Sequence, residues 1–209
     1  MKFIIQHSMF TLGLLIFSYG IALAVTVQHL GIHPWDVLSI ALFDLFGLSI
    51  GTWAVIVGMV LVGISLILDK KYINYGTFLN GILVGPLVDL FLWLDWFPAS
   101  STYAVQVIIL LFAIVVMGFG GGMYAAAKIG VGPRDGFMLS ISDKVGWSIS
   151  RVRIIVESSV LVLAFVLGGP VFIFTFIYTF IQSPIFQQSY HFHTRQLDRL
   201  LDVGGHKFT

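Results

Sequence analysis

The sequence predicts an all-α polytopic membrane protein. Three observations carry that prediction: composition, the length of the apolar runs, and a repeat at a fixed offset. Of 209 residues, 58% are hydrophobic and 10% charged, and the mean hydropathy is +0.98, whereas a soluble domain is about 25% charged. Runs of about 20 apolar residues suit helices that cross a hydrocarbon core. Ten-residue segments of alternating polarity, the mark of a membrane barrel, are absent.

Six runs qualify as transmembrane helices, near 9–28, 50–68, 73–94, 104–127, 149–167 and 170–188. The first, with Lys2 before it and Ala-Leu-Ala at 22–24, imitates a cleavable signal peptide. It is read as a retained span, because it is long enough to cross and has a counterpart later in the chain. Segments 34–46 and 133–144 are too short to cross and read as half-helices, either re-entrant or interfacial. Beyond them, 191–209 reads as a cytoplasmic tail, with Leu197, Leu200 and Leu201 on one face of a short amphipathic helix on the inner membrane surface. Residues 1–190 then form a single transmembrane domain.

Cytoplasmic loops collect Lys and Arg, which orients these spans. With the N-terminus inside, all eleven basic residues fall on the cytoplasmic side: Lys2, Lys70, Lys71, Lys128, Arg134, Lys144, Arg151, Arg153, Arg195, Arg199 and Lys207. The outer loops around 29–49, 95–103 and 168–170 carry none. Both termini are therefore expected in the cytoplasm, and the membrane is expected to be the bacterial inner membrane.

At an offset of 99, residues 30–58 align without a gap on 129–157 with nine identities in 29, where roughly three would arise by chance. Gly31, Pro34, Asp36, Asp44, Gly47 and Ser49 recur as Gly130, Pro133, Asp135, Asp143, Gly146 and Ser148. One residue of slip then aligns 76–86 with 174–184, keeping Thr77 with Thr175 and Pro86 with Pro184. Repeat 1 covers about 8–95 and repeat 2 about 104–188. Three spans per repeat is an odd number, so the repeats are inverted, and the two Pro-Asp stretches are expected to start on opposite faces. Inverted repeats with interrupted helices recur in secondary transporters.

The stretches "GIHPWDVLSIAL", "GLSIGT", "YGTFLNGILVGPLVD", "GVGPRDGFML" and "RVRIIVE" resemble the motifs of the YczE/YyaS/YitT group of bacterial membrane proteins, over about residues 8–187. The resemblance implies a polytopic inner-membrane protein with a suspected role in transport and no particular substrate. Repeat 2 departs from the motif, with Phe174 and Ser183 where glycines are usual.

Candidate site residues follow from chemistry in lipid. Pro34 and Pro133, each followed two residues on by Asp36 or Asp135, suit the first turn of a helix. The aspartates read either as caps or as lining two half-helix N-termini that meet at mid-membrane. Gly31, Gly130 and Gly132 precede these turns, and Pro86 and Pro184 are expected to break the third and sixth spans. Arg153 and Glu157 stand four apart on one helix face, with Glu157 about 12 Å into its span. Intramembrane charges are functional candidates with a named partner. Glu157 is paired with Arg153 or Arg134, either as a structural lock or as a proton- or ion-coupling site. Asn80 joins Arg134 as a softer path candidate; most other polar residues of these spans, such as Gln182 and Gln187, read as helix–helix hydrogen bonds.

The same residues exclude several classes. Cysteine is absent, so sulfur chemistry is too. No basic stripe interleaved with aromatics suggests nucleic acid, and "GFGGGMYAAA" at 118–127 lacks the context of a phosphate loop and reads as a packing face. His191 and His193 have no further ligands nearby in sequence, so no metal and no cofactor is expected. No catalytic signature is found, and no enzyme is expected. The sequence thus points to a secondary carrier of a small solute or ion. A passive channel, a substrate-capturing subunit, a non-transporting scaffold or assembly factor, and a homo-oligomer are left open. A polar cavity lined by Glu157, Arg134 and the Pro-Asp turns would favour transport; a dry interface would favour a scaffold.

Overall fold

The computed structural model describes residues 2–94 and 102–205. Most of the expected outer loop 95–103, and Lys207 of the tail, lie outside the described residues. Those residues fold into eight α-helices without strands: α1 (Lys2–Thr26), α2 (Pro34–Phe46), α3 (Ile50–Leu68), α4 (Tyr75–Leu94), α5 (Tyr103–Ala126), α6 (Pro133–Val145), α7 (Ile149–Val166) and α8 (Ile173–Gly205). Helices α1, α3, α4 and α5 are long and apolar enough to cross a membrane. Arg151, Arg153 and Glu157 lower the hydropathy of α7, and Gln182, Ser183, Gln187 and Gln188 that of α8. Several of these side chains, Arg153, Glu157, Gln182 and Ser183 among them, turn into the protein.

Two groups of helices share the chain. In one, α1 packs along α5 and α4, and α5 packs along α8. In the other, α2 packs on α7 and α3, while α6 packs on α3 and α7. Leu23, Leu110, Ile114, Met117 and Tyr178 fill part of the first core; Trp35, Val37, Leu61, Leu161 and Ala164 fill the second. Helices α7 and α8 join the groups. Among the described residues α3 and α4, which stand in the corresponding places, are not a packed pair.

The stretch 118–127 serves as the packing face that its small residues suggest. A Cβ on Gly120 would stand 2.5 Å from the backbone nitrogen of Phe17, so α1 and α5 approach as closely as two backbones allow.

Positions that recur in the sequence do the same local work twice. Ser49 and Ser148 each cap the following helix, accepting the N–H of Thr52 at 3.1 Å and of Arg151 at 3.3 Å. Thr77 and Thr175 accept the N–H three residues before them, from Asn74 and Phe172. Gly47 and Gly146 end the half-helices with φ of 73° and 72°. Gly31 lies against Phe174 and Thr175 at the start of α8, and Gly130 against Gly76 and Thr77 at the start of α4.

Three expectations are corrected. Pro86 and Pro184 do not break their helices, because α4 and α8 run through them without interruption. Each proline removes one hydrogen bond from a helix of 20 or 33 residues, and the turns on either side persist. The sixth apolar run and the tail are one helix, in which Leu197 is fully buried instead of lying on a membrane surface. No glycine or proline between Pro184 and Gly204 interrupts it. Finally, the Pro-Asp stretches do not stand at opposite faces: Arg134 reaches Asp36.

Candidate functional site

Proline sets the start of both half-helices. Pro34 and Pro133 occupy the first turns of α2 and α6, where a missing N–H costs nothing. Those starts lie halfway along neighbouring helices. A Cβ on Gly58 of α3 would stand 3.7 Å from Pro133, and Glu157 of α7, the aligned position, stands 3.9 Å from the His33 ring ahead of Pro34.

The first turns therefore face one another across the middle of the molecule. Arg134 donates to Asp36 at 3.2 Å, its guanidinium over the Trp35 ring at 5.7 Å. Their side chains are 29% and 51% exposed, so this pair is reachable from outside the protein. Neither helix start has a side-chain cap. The aspartates turn instead to guanidinium and hydroxyl donors, which bind a carboxylate more strongly than neutral amides do. Their charge still lies at the positive end of each helix dipole.

Arg153 is the centre of the buried part. It donates to Asp135 at 2.5 Å and to Glu157 at 3.1 Å, and its guanidinium stacks over Phe186 at 4.1 Å from the ring centre. Tyr124 of α5 donates to the other oxygen of Asp135. Arg153 and Glu157 are 2% and 0% exposed, which makes this a closed ion-pair network rather than a solvated one. The Tyr178 ring meets His33 edge-on at 5.8 Å. Asn80 sits against Gly132: a Cβ there would be 2.7 Å from its Oδ1 and 3.2 Å from the Tyr124 hydroxyl. The absence of a side chain at Gly132 is what lets α4, α5 and α6 converge.

The network leaves buried polar atoms without partners. They include His33 Nδ1, Trp35 Nε1, Asn80 Nδ2, Arg153 Nε, Glu157 Oε2, Thr179 Oγ1, Gln182 Oε1 and Ser183 Oγ. Such atoms cost about 1–3 kcal/mol each when left dry.

The structure thus brings together Asp36, Arg134, Asp135, Arg153 and Glu157, with Asn80 at the edge. Glu157 takes Arg153, and Arg134 takes Asp36 instead. Sequence reasoning missed His33, Tyr124 and Tyr178. His33 aligns with Gly132 and so left no signal in the repeat, and Tyr124 was hidden in the small-residue stretch. Gln187 does make a hydrogen bond between helices, accepting the N–H of Ser150 at 2.7 Å.

Outside the apolar helices, Asp143 near the end of α6 accepts from Lys71 and from Tyr72, each at 2.7 Å. Burial alone would raise the Asp143 carboxyl, but the hydrogen bonds from Lys71 and Tyr72 outweigh it and hold it below the usual carboxylate range. The hydrogen bond to Asp143 raises Lys71 in turn.

Apolar helices carrying a buried charged centre define this chain as an all-α integral membrane protein, and comparison with known proteins agrees. The family of unknown function DUF6198 matches residues 4–190, and the chain belongs to that family. It is 35% identical over 170 residues to the uncharacterized membrane protein YczE of Bacillus subtilis (strain 168), covering 81% of this chain and 78% of that one. It is also 28% identical over 168 residues to the uncharacterized protein YyaS of the same organism, covering 79% and 83%. An uncharacterized protein of Haemophilus influenzae is 34% identical over 152 residues, covering 70% and 66%. The YczE and YyaS resemblance read from the motifs therefore holds. No solved structure matches the chain.

Proposed function

We propose that this protein is a secondary carrier of a small polar or charged solute or ion, not an enzyme, built from two inverted repeats with α1, α3, α4, α5, α7 and α8 crossing the bacterial inner membrane. Both termini face the cytoplasm. The observation that carries the reading is the meeting of two half-helix N-termini, halfway along α3 and α7, around charges and unpartnered polar atoms. Half-helices that present N–H dipoles and side chains near the bilayer midplane are how several carriers hold their substrate.

The duplicated caps, turns and cross-repeat contacts support the inverted repeat. So does the inequality of the two seams: α7 packs on α8, while among the described residues α3 and α4 are not a packed pair. In an inverted pair, exchanging these two packings turns an opening from one face to the other. That exchange is alternating access.

The test begins with purified protein and a thermal-shift screen of a metabolite library, followed by uptake of any stabilising solute into liposomes. Wild-type uptake that disappears in Glu157→Gln, with the variant folded and inserted, is the expected result. A solute that stabilises the protein but never crosses would replace the carrier with a substrate-capturing subunit. Uptake unchanged in Glu157→Gln would remove that residue from the path.

A further inference from the structure

Three carboxylates, Asp36, Asp135 and Glu157, are matched by two guanidinium groups, Arg134 and Arg153. With His33 neutral, the central network is one positive charge short. Excess negative charge away from water is costly, and a group so placed acquires a counter-charge or neutralises. The position of the deficit is visible in the unpartnered atoms. Glu157 uses Oε1 toward Arg153 and leaves Oε2 without a partner, and His33 Nδ1 is also unpartnered. His33 Nε2 stands 3.9 Å from Glu157 Oε1, beyond a hydrogen bond but close enough to be drawn into one by charge.

We propose that His33 and Glu157 form a single-proton exchange site at the contact between the two repeats. A proton taken from water onto the imidazole gives imidazolium beside carboxylate, and the network passes from a net charge of minus one to zero. The same proton placed on Glu157 Oε2 gives the neutral acid beside neutral imidazole. Either way one proton satisfies the pair.

The neighbours favour a proton over a larger cation. Arg153 already occupies one oxygen of Glu157, and the Tyr178 ring covers His33 edge-on. Among the described residues, no group of three His, Asp or Glu side chains converges as metal ligands. The charged and titratable groups around the pair are Asp36 on α2, Arg134 and Asp135 on α6, Arg153 on α7, Tyr124 on α5 and Tyr178 on α8. Arg134 and Asp36 offset each other. Arg153 is shared by Asp135 and Glu157, so these two acids have one cation between them; Asp135 gains the Tyr124 hydroxyl as well, while Glu157 Oε2 has no donor.

The site deepens the carrier reading by naming its coupling ion, but its chemistry can be tested without any solute. Protein in lipid nanodiscs is stepped from about pH 8 to about pH 5, across the range where histidine charges. Infrared difference spectra read carboxyl protonation, and nitrogen resonances of isotope-labelled histidine read imidazole protonation. Wild type is expected to show a one-proton step at this pair. The His33 resonance, assigned by its loss in His33→Gln, should move, or the carboxylic acid band should appear. Glu157→Gln should shift or abolish the step, while Asp36→Asn keeps it. His33 neutral and Glu157 ionised across the whole range in folded wild type overturns the proposal. A step that survives unchanged in both His33→Gln and Glu157→Gln overturns it as well. A proton step in a protein that moves no solute would keep the site and remove the carrier.

Discussion

Arg134 of α6 and Asp36 of α2 meet at 3.2 Å although they lie 98 residues apart in sequence. Each stands in the first turn of its half-helix, so the contact ties the two helix starts to each other. The pair is not a repeat-related one, since Asp36 aligns with Asp135 and Arg134 with Trp35. Two of the eleven basic residues belong to helices and not to loops: Arg153 is buried and Arg134 is part-exposed at the first turn of α6.

Removing the central cation leaves Asp135 and Glu157 buried without compensation. Arg153→Gln is expected to destabilise the protein by about 3–5 kcal/mol, the usual cost of breaking a buried pair from one side. Thermal unfolding in detergent should show a clear drop in Tm, and a Tm equal to wild type would contradict a closed network.

The α1–α5 seam depends on the absence of side chains. A Cβ at Gly13 would stand 2.5 Å from the Tyr124 backbone nitrogen, an atom that cannot move out of the way without its helix. Gly13→Ala should therefore separate the helices and cost about 1–3 kcal/mol, as overpacking does. It should also displace Tyr124 from Asp135, which ultraviolet difference spectra of the tyrosines would reveal.

The tie between α6 and the turn before α4 should depend on pH at both ends of the scale. Asp143 is held below its ordinary value, so its contribution is present above about pH 4 and is lost as pH falls through the lowered value. Lys71 is raised, so its contribution is complete below about pH 10 and fades as pH rises through the raised value. Protection factors of the amides of residues 70–77, taken relative to the intrinsic exchange rate at each pH, should be highest between those limits, and Asp143→Asn should abolish the acid-side change. Equal protection factors in acid and at neutral pH would refute the tie.

Sidedness is testable because the chain contains no cysteine. Phe46 and Val145 occupy equivalent ends of α2 and α6 and are both exposed. Phe46→Cys and Val145→Cys are expected to react with an impermeant reagent from opposite sides of the membrane. Reaction from one side only would dismantle the inverted arrangement. Positions 34 and 133 are unsuited to this test, since Pro34 is buried and Pro133 is half-buried against Gly58.

The elements were legible in the sequence because their causes are local. Apolar run length marked the six long helices, and Pro34 and Pro133 marked the half-helix starts to the residue. The pairing of charges was not legible. Glu157 meets His33 across 124 positions, and its aligned counterpart, Gly58, meets a proline. The two repeats therefore share a backbone plan but not a set of charges. The tail was misread for a different reason: polarity after residue 188 was taken as the end of a helix, whereas helix continuity depends on backbone hydrogen bonds and neighbours. Ser189 donates to Phe119 at 2.6 Å, and Lys128 to Asp198 at 2.6 Å, holding α8 against α5 past the apolar stretch.

Helix α8 has 33 residues, about 50 Å at the usual rise, against a hydrocarbon thickness of about 30 Å. One long rod thus passes His33 at Tyr178 and, if it crosses the bilayer as proposed, is about 20 Å longer than the hydrocarbon it crosses. Pivoting by a few degrees near Tyr178 would sweep its far end through a much larger arc, like a needle on a dial. In the proposed arrangement, a dye attached at Gln196 would report motion at Tyr178 from outside the lipid, and tethering that end should quiet it.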